Sequence, residues 1–305
     1  MNSVLRYNRT QCLLALISAA AVVICVCAGV TMNLTTIYDE NFDHMGIRTF
    51  CMFTVNSNIL EAVALALVLP YTVDGLRKNN YHLPNWIVVL NLIGATGVTL
   101  TFLVSLFLLA PVKGFVLIFT GSRFFLHGVC PILAIIAFCF FISDHRITRK
   151  EAWLALIPTI IYGIVYFIMV VVIGEQNGGW NDFYGFATRL PVWIPLLAIG
   201  PIIYGITALL RLLHNGSYDR RKAKEARMYQ EEYAGRDIRE AVMAMARDQS
   251  ASRRTADIIV PSRIISLMVA HGDDDAPLDE CCLLFVNTYL ENRGEKDAEA
   301  PKRKG

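Results

Sequence analysis

The sequence predicts an all-α, polytopic membrane protein: a six-helix transmembrane bundle at 1–213, then a cytoplasmic tail at 214–305 that is mostly helical or partly disordered. Three observations predict it. Hydrophobic residues make up 55% of the 305 positions and mean hydropathy is +0.46, more apolar surface than a soluble globule normally carries. Apolar blocks long enough to cross a hydrocarbon core at about 1.5 Å per residue recur through the first two thirds of the chain. Basic residues gather on alternate flanks of those blocks, as the positive-inside rule expects.

The blocks lie at 11–32, 49–73, 86–110, 124–142, 151–173 and 193–212. Their runs are continuous, without the alternation of a barrel strand, so helices are the elements that satisfy their backbones in lipid. The first follows Arg6 and Arg9. Its apolar core is longer than that of a signal peptide and no small-x-small cleavage site closes it, so it reads as an uncleaved first helix. The second, "FCMFTVNSNILEAVALALVLP", is interrupted by polar groups considered below. In the third, Asn91, Thr96, Thr99 and Thr101 read as interhelical hydrogen-bonding groups. Pro158, Tyr162 and Tyr166 in the fifth, with Pro201 and Tyr204 in the sixth, read as kinks and helix contacts more than as a cavity lining.

With the N-terminus inside, the cytoplasmic flanks receive Arg6, Arg9, Arg77, Lys78, Arg146, Arg149, Lys150, Arg211, Arg220, Arg221, Lys222 and Lys224, and the outer flanks only Arg48, Lys113, Arg123 and Arg189. Both termini are therefore expected in the cytoplasm, and the membrane is the plasma membrane if the source is bacterial. The basic residues are sided rather than abundant, with a net charge of +2, so nucleic-acid binding gains no support. The eight cysteines form neither a CxxC zinc pattern nor a disulfide framework, and most read as small packing residues. No metal or cofactor is implied. Membrane lipids are the expected partners.

Between the spans, "PVKGFVLIFTGSRF" is apolar enough to run back along the membrane, and the sequon at Asn33 sits too close to the membrane edge to be glycosylated. Beyond Leu213 the composition shifts. "SYDRRKAKEARMYQEEYAGRDIREAVMAMARD" has the spacing of an amphipathic surface helix, and Arg220, Arg221, Lys222 and Lys224 read as a stop-transfer cluster or a site for anionic headgroups. "IIVPSRIISLMVA" predicts a short strand or helix, "LDECCLLFVNTYLENR" a helix, and the last twelve residues, 294–305, disorder. A tail of this kind also suits a cytoplasmic protein partner.

In the second block Thr54, Ser57, Asn58 and Glu61 share one helical face, while Asn56 points elsewhere. From an outer boundary near Thr49, Thr54 lies about 8 Å deep and Glu61 about 18 Å deep. An ionised carboxylate at that depth costs about 3 kcal/mol, so Glu61 is expected protonated, paired or wet, and the stripe should face the bundle interior. At the start of the fourth block His127 lies at about the depth of Thr54, with Pro131 four residues later to free a carbonyl and bend the helix. Together they permit hydrolysis. A hydroxyl becomes a nucleophile when a neighbouring base takes its proton, so Thr54 and His127 are the candidate catalytic pair. Ser57, Asn58 and Glu61 form a supporting polar site, with Ser57, Asn58 or a backbone amide near Pro131 as oxyanion donors.

The segments "FTVNSN" (Phe53, Thr54, Ser57 and Asn58) and "LHGVCP" (Leu126 to Pro131) resemble the androgen-induced membrane protein family and its bacterial six-transmembrane relatives. The resemblance covers 11–213 in layout, with its specific content in these two motifs. It implies a multi-pass threonine hydrolase of lipid esters of hydroxy fatty acids, with the nucleophile at Thr54, the histidine at His127 and an amphiphilic ester as substrate. Two other classes fit the same residues. A small-solute or proton-coupled transporter would use Glu61, and a non-enzymatic scaffold would signal through the tail.

Overall fold

The computed structural model describes residues 3–35, 46–78, 81–185, 193–250, 261–272 and 277–293, and among these every regular element is helical. Six helices are long and apolar enough to cross a membrane: α1 (Ser3–Thr35), α2 (Phe53–Lys78), α3 (Asn85–Lys113), α4 (Phe124–Phe141), α5 (Arg149–Ile173) and α6 (Trp193–Glu232). The chain is a multi-pass integral membrane protein.

Each helix takes up one apolar block of the sequence. The sixth runs on unbroken for 40 residues, so the basic stretch after Leu213 continues it rather than forming a separate surface helix. Apart from Gly216, the run from Arg211 to Glu232 holds no glycine or proline to stop it, and it is rich in Lys, Arg, Glu, Ala and Met. Three tail helices follow, α7 (Ile238–Ser250), α8 (Pro261–His271) and α9 (Leu278–Arg293). The segment left open between strand and helix is thus helical from Pro261, a residue suited to a first helical turn because it has no N–H to satisfy. The expected disordered stretch 294–305 and most of the loop after α1, 36–45, lie outside the described residues.

The chain divides into two compact units, one of Ala15–Pro70 and Leu83–Ser217, the other of Met1–Leu14, Tyr71–His82 and Tyr218–Gly305. In the first unit α1 buries Ala15, Ala19, Val22 and Val26, a three-four spacing of small side chains that allows close helix approach, and exposes Ile17 and Ile24. Along α5, Ile157, Ile161, Ile164 and Val172 are exposed. These outward faces account for the excess of apolar residues: they are the surface a bilayer would cover.

Helices α2 and α3 meet most closely at two glycines. A methyl group on Gly97 would lie 3.1 Å from Ser57 Cβ, and one on Gly94 would overlap the Glu61 carboxylate. Polar pairs then fix the register: Ser57 and Thr101 hydroxyls lie 3.0 Å apart, and Asn91 Nδ2 donates to the Ala64 carbonyl at 3.4 Å. Thr96 and Thr207 join α3 to α6 at 3.3 Å.

At the other end of this unit the link between α4 and α5 is held by two residues of α6. His214, fully buried, stacks on Phe138 at 4.5 Å, with its ring nitrogens 2.9 Å from the Phe138 and His145 carbonyl oxygens. Asn215 accepts from the Ile147 N–H at 2.8 Å and donates to the Ile147 carbonyl at 2.9 Å. His214→Phe keeps the stacking but removes both polar contacts, so it is expected to lower stability by about 2 kcal/mol, read as a drop in unfolding temperature in detergent.

In the second unit Tyr229, Tyr233, Val242, Met245, Leu267 and Phe285 pack into one apolar core, and Tyr233 Oη donates to Asp248 at 3.2 Å. Three of the basic residues after Leu213 take part here. Arg221 is buried, Lys222 pairs with Glu225 at 3.3 Å, and the Lys224 ammonium sits 4.5 Å above the Tyr7 ring.

Candidate functional site

The site forms where α2 begins. The chain enters through a 3₁₀ turn, Gly46–Cys51, and helical structure starts at Phe53, so the amides of Phe53 and Thr54 have no acceptor within the helix. Tyr184 supplies one: the Phe53 N–H donates to its hydroxyl at 3.0 Å, and Thr54 lies within hydrogen-bonding contact of the same oxygen.

Tyr184 reaches this position because the chain after α5 folds back on itself. Gly174 and Gly178 adopt φ of 74° and 85°, which only glycine takes readily, and the returning Trp180 N–H donates to the Met169 carbonyl at 3.0 Å. Tyr166 Oη donates to Asp182 at 2.6 Å, and Tyr162 Oη to the Cys51 carbonyl at 2.8 Å. The rings of Tyr166, Phe183 and Tyr184 pack edge on at 4.7 to 5.2 Å. Tyr162 and Tyr166 thus make helix-to-loop hydrogen bonds, while Tyr204 stacks on Trp153 at 4.7 Å. Burial pushes the Tyr184 phenol above its ordinary value of 10.0, so it remains a neutral hydroxyl through neutral and mildly alkaline pH.

Thr54, Ser57, Asn58 and Glu61 are all buried, while Asn56 bonds the Phe50 carbonyl on a more exposed side. The stripe therefore faces inward, and its members do different work. Asn58 gives both N–H groups away, to the Thr54 carbonyl at 2.7 Å and to the Leu126 carbonyl at 3.0 Å. That single carboxamide ties the turn carrying Thr54 to the residue before His127. Ser57 bonds the Thr54 carbonyl and Thr101. Both carboxylate oxygens of Glu61 are buried without a hydrogen-bond partner, against Gly94.

In α4 the first turn is a π-helix, Phe124–Val129, followed by a regular α-helix from Cys130. Pro131 has no N–H to offer the His127 carbonyl, and the widened turn, in which Cys130 N–H donates to Phe125 O, is the local answer to that gap. His127 Nδ1 lies 3.1 Å from the Ile118 carbonyl. A carbonyl can only accept, so Nδ1 carries the hydrogen and neutral His127 keeps the lone pair on Nε2.

These elements enclose a cavity of about 330 Å³. Its walls include Thr54, His127 and Tyr184, with Val55, Leu109, Ile118 and Leu126 as apolar surface and Lys113, Ser122 and Arg123 as polar surface. The sequence places Thr54 and His127 at one depth, and the structure brings them to one cavity; among the described residues no direct hydrogen bond joins them. Ser57, Asn58 and Glu61 are not among the lining residues. The donors of Ser57 and Asn58, and the Cys130 amide near Pro131, are already engaged, which leaves them poor oxyanion donors. Tyr184, Lys113 and Arg123 were not expected at the site. The only trace of Tyr184 in the sequence is the aromatic run "GWNDFYGF", and the two cations were legible only as outer-flank charges.

Comparison with family models, with curated proteins and with solved structures returned no match.

Proposed function

We propose that the protein hydrolyses acyl esters of amphiphiles, with Thr54 as nucleophile and His127 as general base. The observation that carries this reading is the presence of Thr54, His127 and Tyr184 on the wall of one cavity. The Thr54 hydroxyl attacks the ester carbonyl as His127 Nε2 takes its proton, directly or through one water. The proton then passes to the departing alkoxide, leaving an acyl-threonine ester. Water, activated by the same nitrogen, releases the acid and restores Thr54. On this reading the neutral Tyr184 hydroxyl, which contacts Thr54 and Tyr162 in the free protein, turns its proton to the developing oxyanion. The pairing of a threonine motif on the second helix with a histidine motif on the fourth is the arrangement that the androgen-induced family resemblance implies, and the basic flanks of the spans put the site on the outer side of the membrane.

Proton-coupled transport rests on less. Glu61 is packed against Gly94 and is not among the residues that line the cavity.

The reading is tested by turnover of a fluorogenic medium-chain acyl ester by purified protein in uncharged detergent. Thr54→Ala and His127→Ala are each expected to abolish turnover while unfolding normally, and Thr54→Ser to retain part of it. Turnover equal to wild type in either alanine variant sinks the pair. Tyr184→Phe is expected to lower kcat by about a hundredfold, the usual cost of one oxyanion donor, with little change in KM. In wild type the raised Tyr184 phenol predicts that any fall in rate from its ionisation comes at higher pH than for a free phenol.

A further inference from the structure

We infer that Cys25 and Cys130 are a redox-active thiol pair within the spans, closing to a disulfide that locks α1 to α4 beside the Thr54 cavity, with a lipid-soluble quinone as oxidant. The assignment stands apart from the hydrolase reading, because it needs neither Thr54 nor His127.

The pairing follows from the register of the two helices. Near the start of α4, the Ser122 hydroxyl donates to Asn33 Oδ1 of α1. Four residues back along α1 and four forward into α4, a methyl group on Gly29 would lie 2.9 Å from the Leu126 side chain and 3.3 Å from Phe125 Cβ. The next such step brings Cys25 opposite Cys130, and their thiols are in hydrogen-bonding contact. Each step is about one helical turn, taken in opposite directions on the two helices, so the three contacts line one seam.

Gly29 makes the approach close. Helix axes usually stand about 8–10 Å apart, whereas a disulfide needs Cα atoms about 4.4–6.8 Å apart. A residue without a side chain, one turn from Cys25, lets the two backbones come nearer. Cys130 is buried and Cys25 half-buried, and neither is in a disulfide.

The surroundings select the oxidant. Both sulfurs lie within apolar spans, which exclude charged reagents. A thiolate is costly there, but the net reaction leaves none. Each thiol gives up its hydrogen, one S–S bond forms, and the quinone takes the two protons and two electrons to become a quinol. The seam is also part of the cavity wall, where Met32 and Asn33 of α1 and Leu126 and His127 of α4 lie. The disulfide fixes that wall; the dithiol leaves it held by packing and the bond between Asn33 and Ser122.

The test treats the purified full chain in liposomes with decylubiquinone, whose substituted ring does not alkylate thiols, or with oxidised glutathione, then maps the alkylated peptides by mass spectrometry. The quinone is expected to give a peptide linked through Cys25 and Cys130, two hydrogens lighter and reversed by a phosphine, at a yield at least about tenfold above that with oxidised glutathione. It is expected to raise the unfolding temperature by about 5 °C, since the bond closes a loop of about 100 residues. Equal yields overturn the lipid-soluble oxidant, and no linked peptide with either reagent overturns the pair. A link through Cys27, which is exposed on α1, overturns the assignment of Cys25. Cys27→Ser is expected to keep the link, and Cys25→Ser or Cys130→Ser to abolish it. The wild-type map decides even if a serine variant does not fold. Because turnover is not read, a protein without esterase activity leaves the thiol pair standing, and absence of the link leaves the hydrolase standing.

Discussion

Asn58→Leu is expected to destabilise the protein by about 4 kcal/mol and to remove ester turnover along with it. Leucine keeps the branched skeleton of asparagine but is bulkier, so overpacking adds to the loss of the hydrogen bonds. Asn58 is fully buried, and its two N–H groups serve the carbonyls of Thr54 and Leu126. Removing both takes a donor from two buried carbonyls, at roughly 1 to 3 kcal/mol each as an upper bound, since the Thr54 carbonyl keeps the Ser57 hydroxyl. Its own Oδ1 is buried without a hydrogen-bond partner, so leucine relieves that cost, which roughly offsets the overpacking. The functional consequence follows from what the two bonds connect. One end holds the turn of Thr54 and the other the residue before His127, so α2 and α4 lose the tie that sets both groups on one wall. Unfolding in detergent and turnover by the surviving folded fraction separate the two effects. A variant as stable and as active as wild type would show that the Asn58 bridge does not set the register.

Gly94→Ala is expected to cost about 3 kcal/mol, a large effect for one methyl group. The added carbon would overlap the Glu61 carboxylate, and it would also lie 2.8 Å from Glu61 Cα and 3.1 Å from Glu61 Cβ. A side-chain end can rotate away; main chain cannot, so α2 and α3 must separate. This divides the effect into two parts that a double-mutant cycle can read. Trimming the acid with Glu61→Ala in the Gly94→Ala background is expected to recover about 1 kcal/mol and leave the rest, because the contact with Cα persists. Full recovery would place the whole clash in the carboxylate, and no recovery would show that the two residues do not meet.

The fold was legible because lipid imposes a rule that length and composition can answer: six runs of sufficient length became six helices. The inward direction of the Thr54, Ser57, Asn58 and Glu61 stripe was legible for a related reason, since helical period alone puts them on one face. What each member does was not. Spacing places Ser57 and Asn58 beside Thr54 but does not show that their donors are taken up by Thr101, Thr54 and Leu126, which depends on how close the neighbouring helices come. Tyr184 was hidden by distance along the chain. It is 131 residues from Phe53 and reaches it through a loop whose path is set by two left-handed glycines and the Met169 carbonyl. Nor does anything local to His214 announce that it will bridge the Phe138 and His145 carbonyls, because both acceptors belong to another part of the fold.

Hydrolysis at this site requires that His127 activate Thr54. An acyl-directed fluorophosphonate probe, followed by digestion and peptide mass spectrometry, tests this most directly. The adduct is predicted on the Thr54 hydroxyl in the wild-type protein and is predicted to vanish in a folded His127→Ala variant. An adduct on any other side chain, or undiminished labelling of Thr54 without His127, would contradict it.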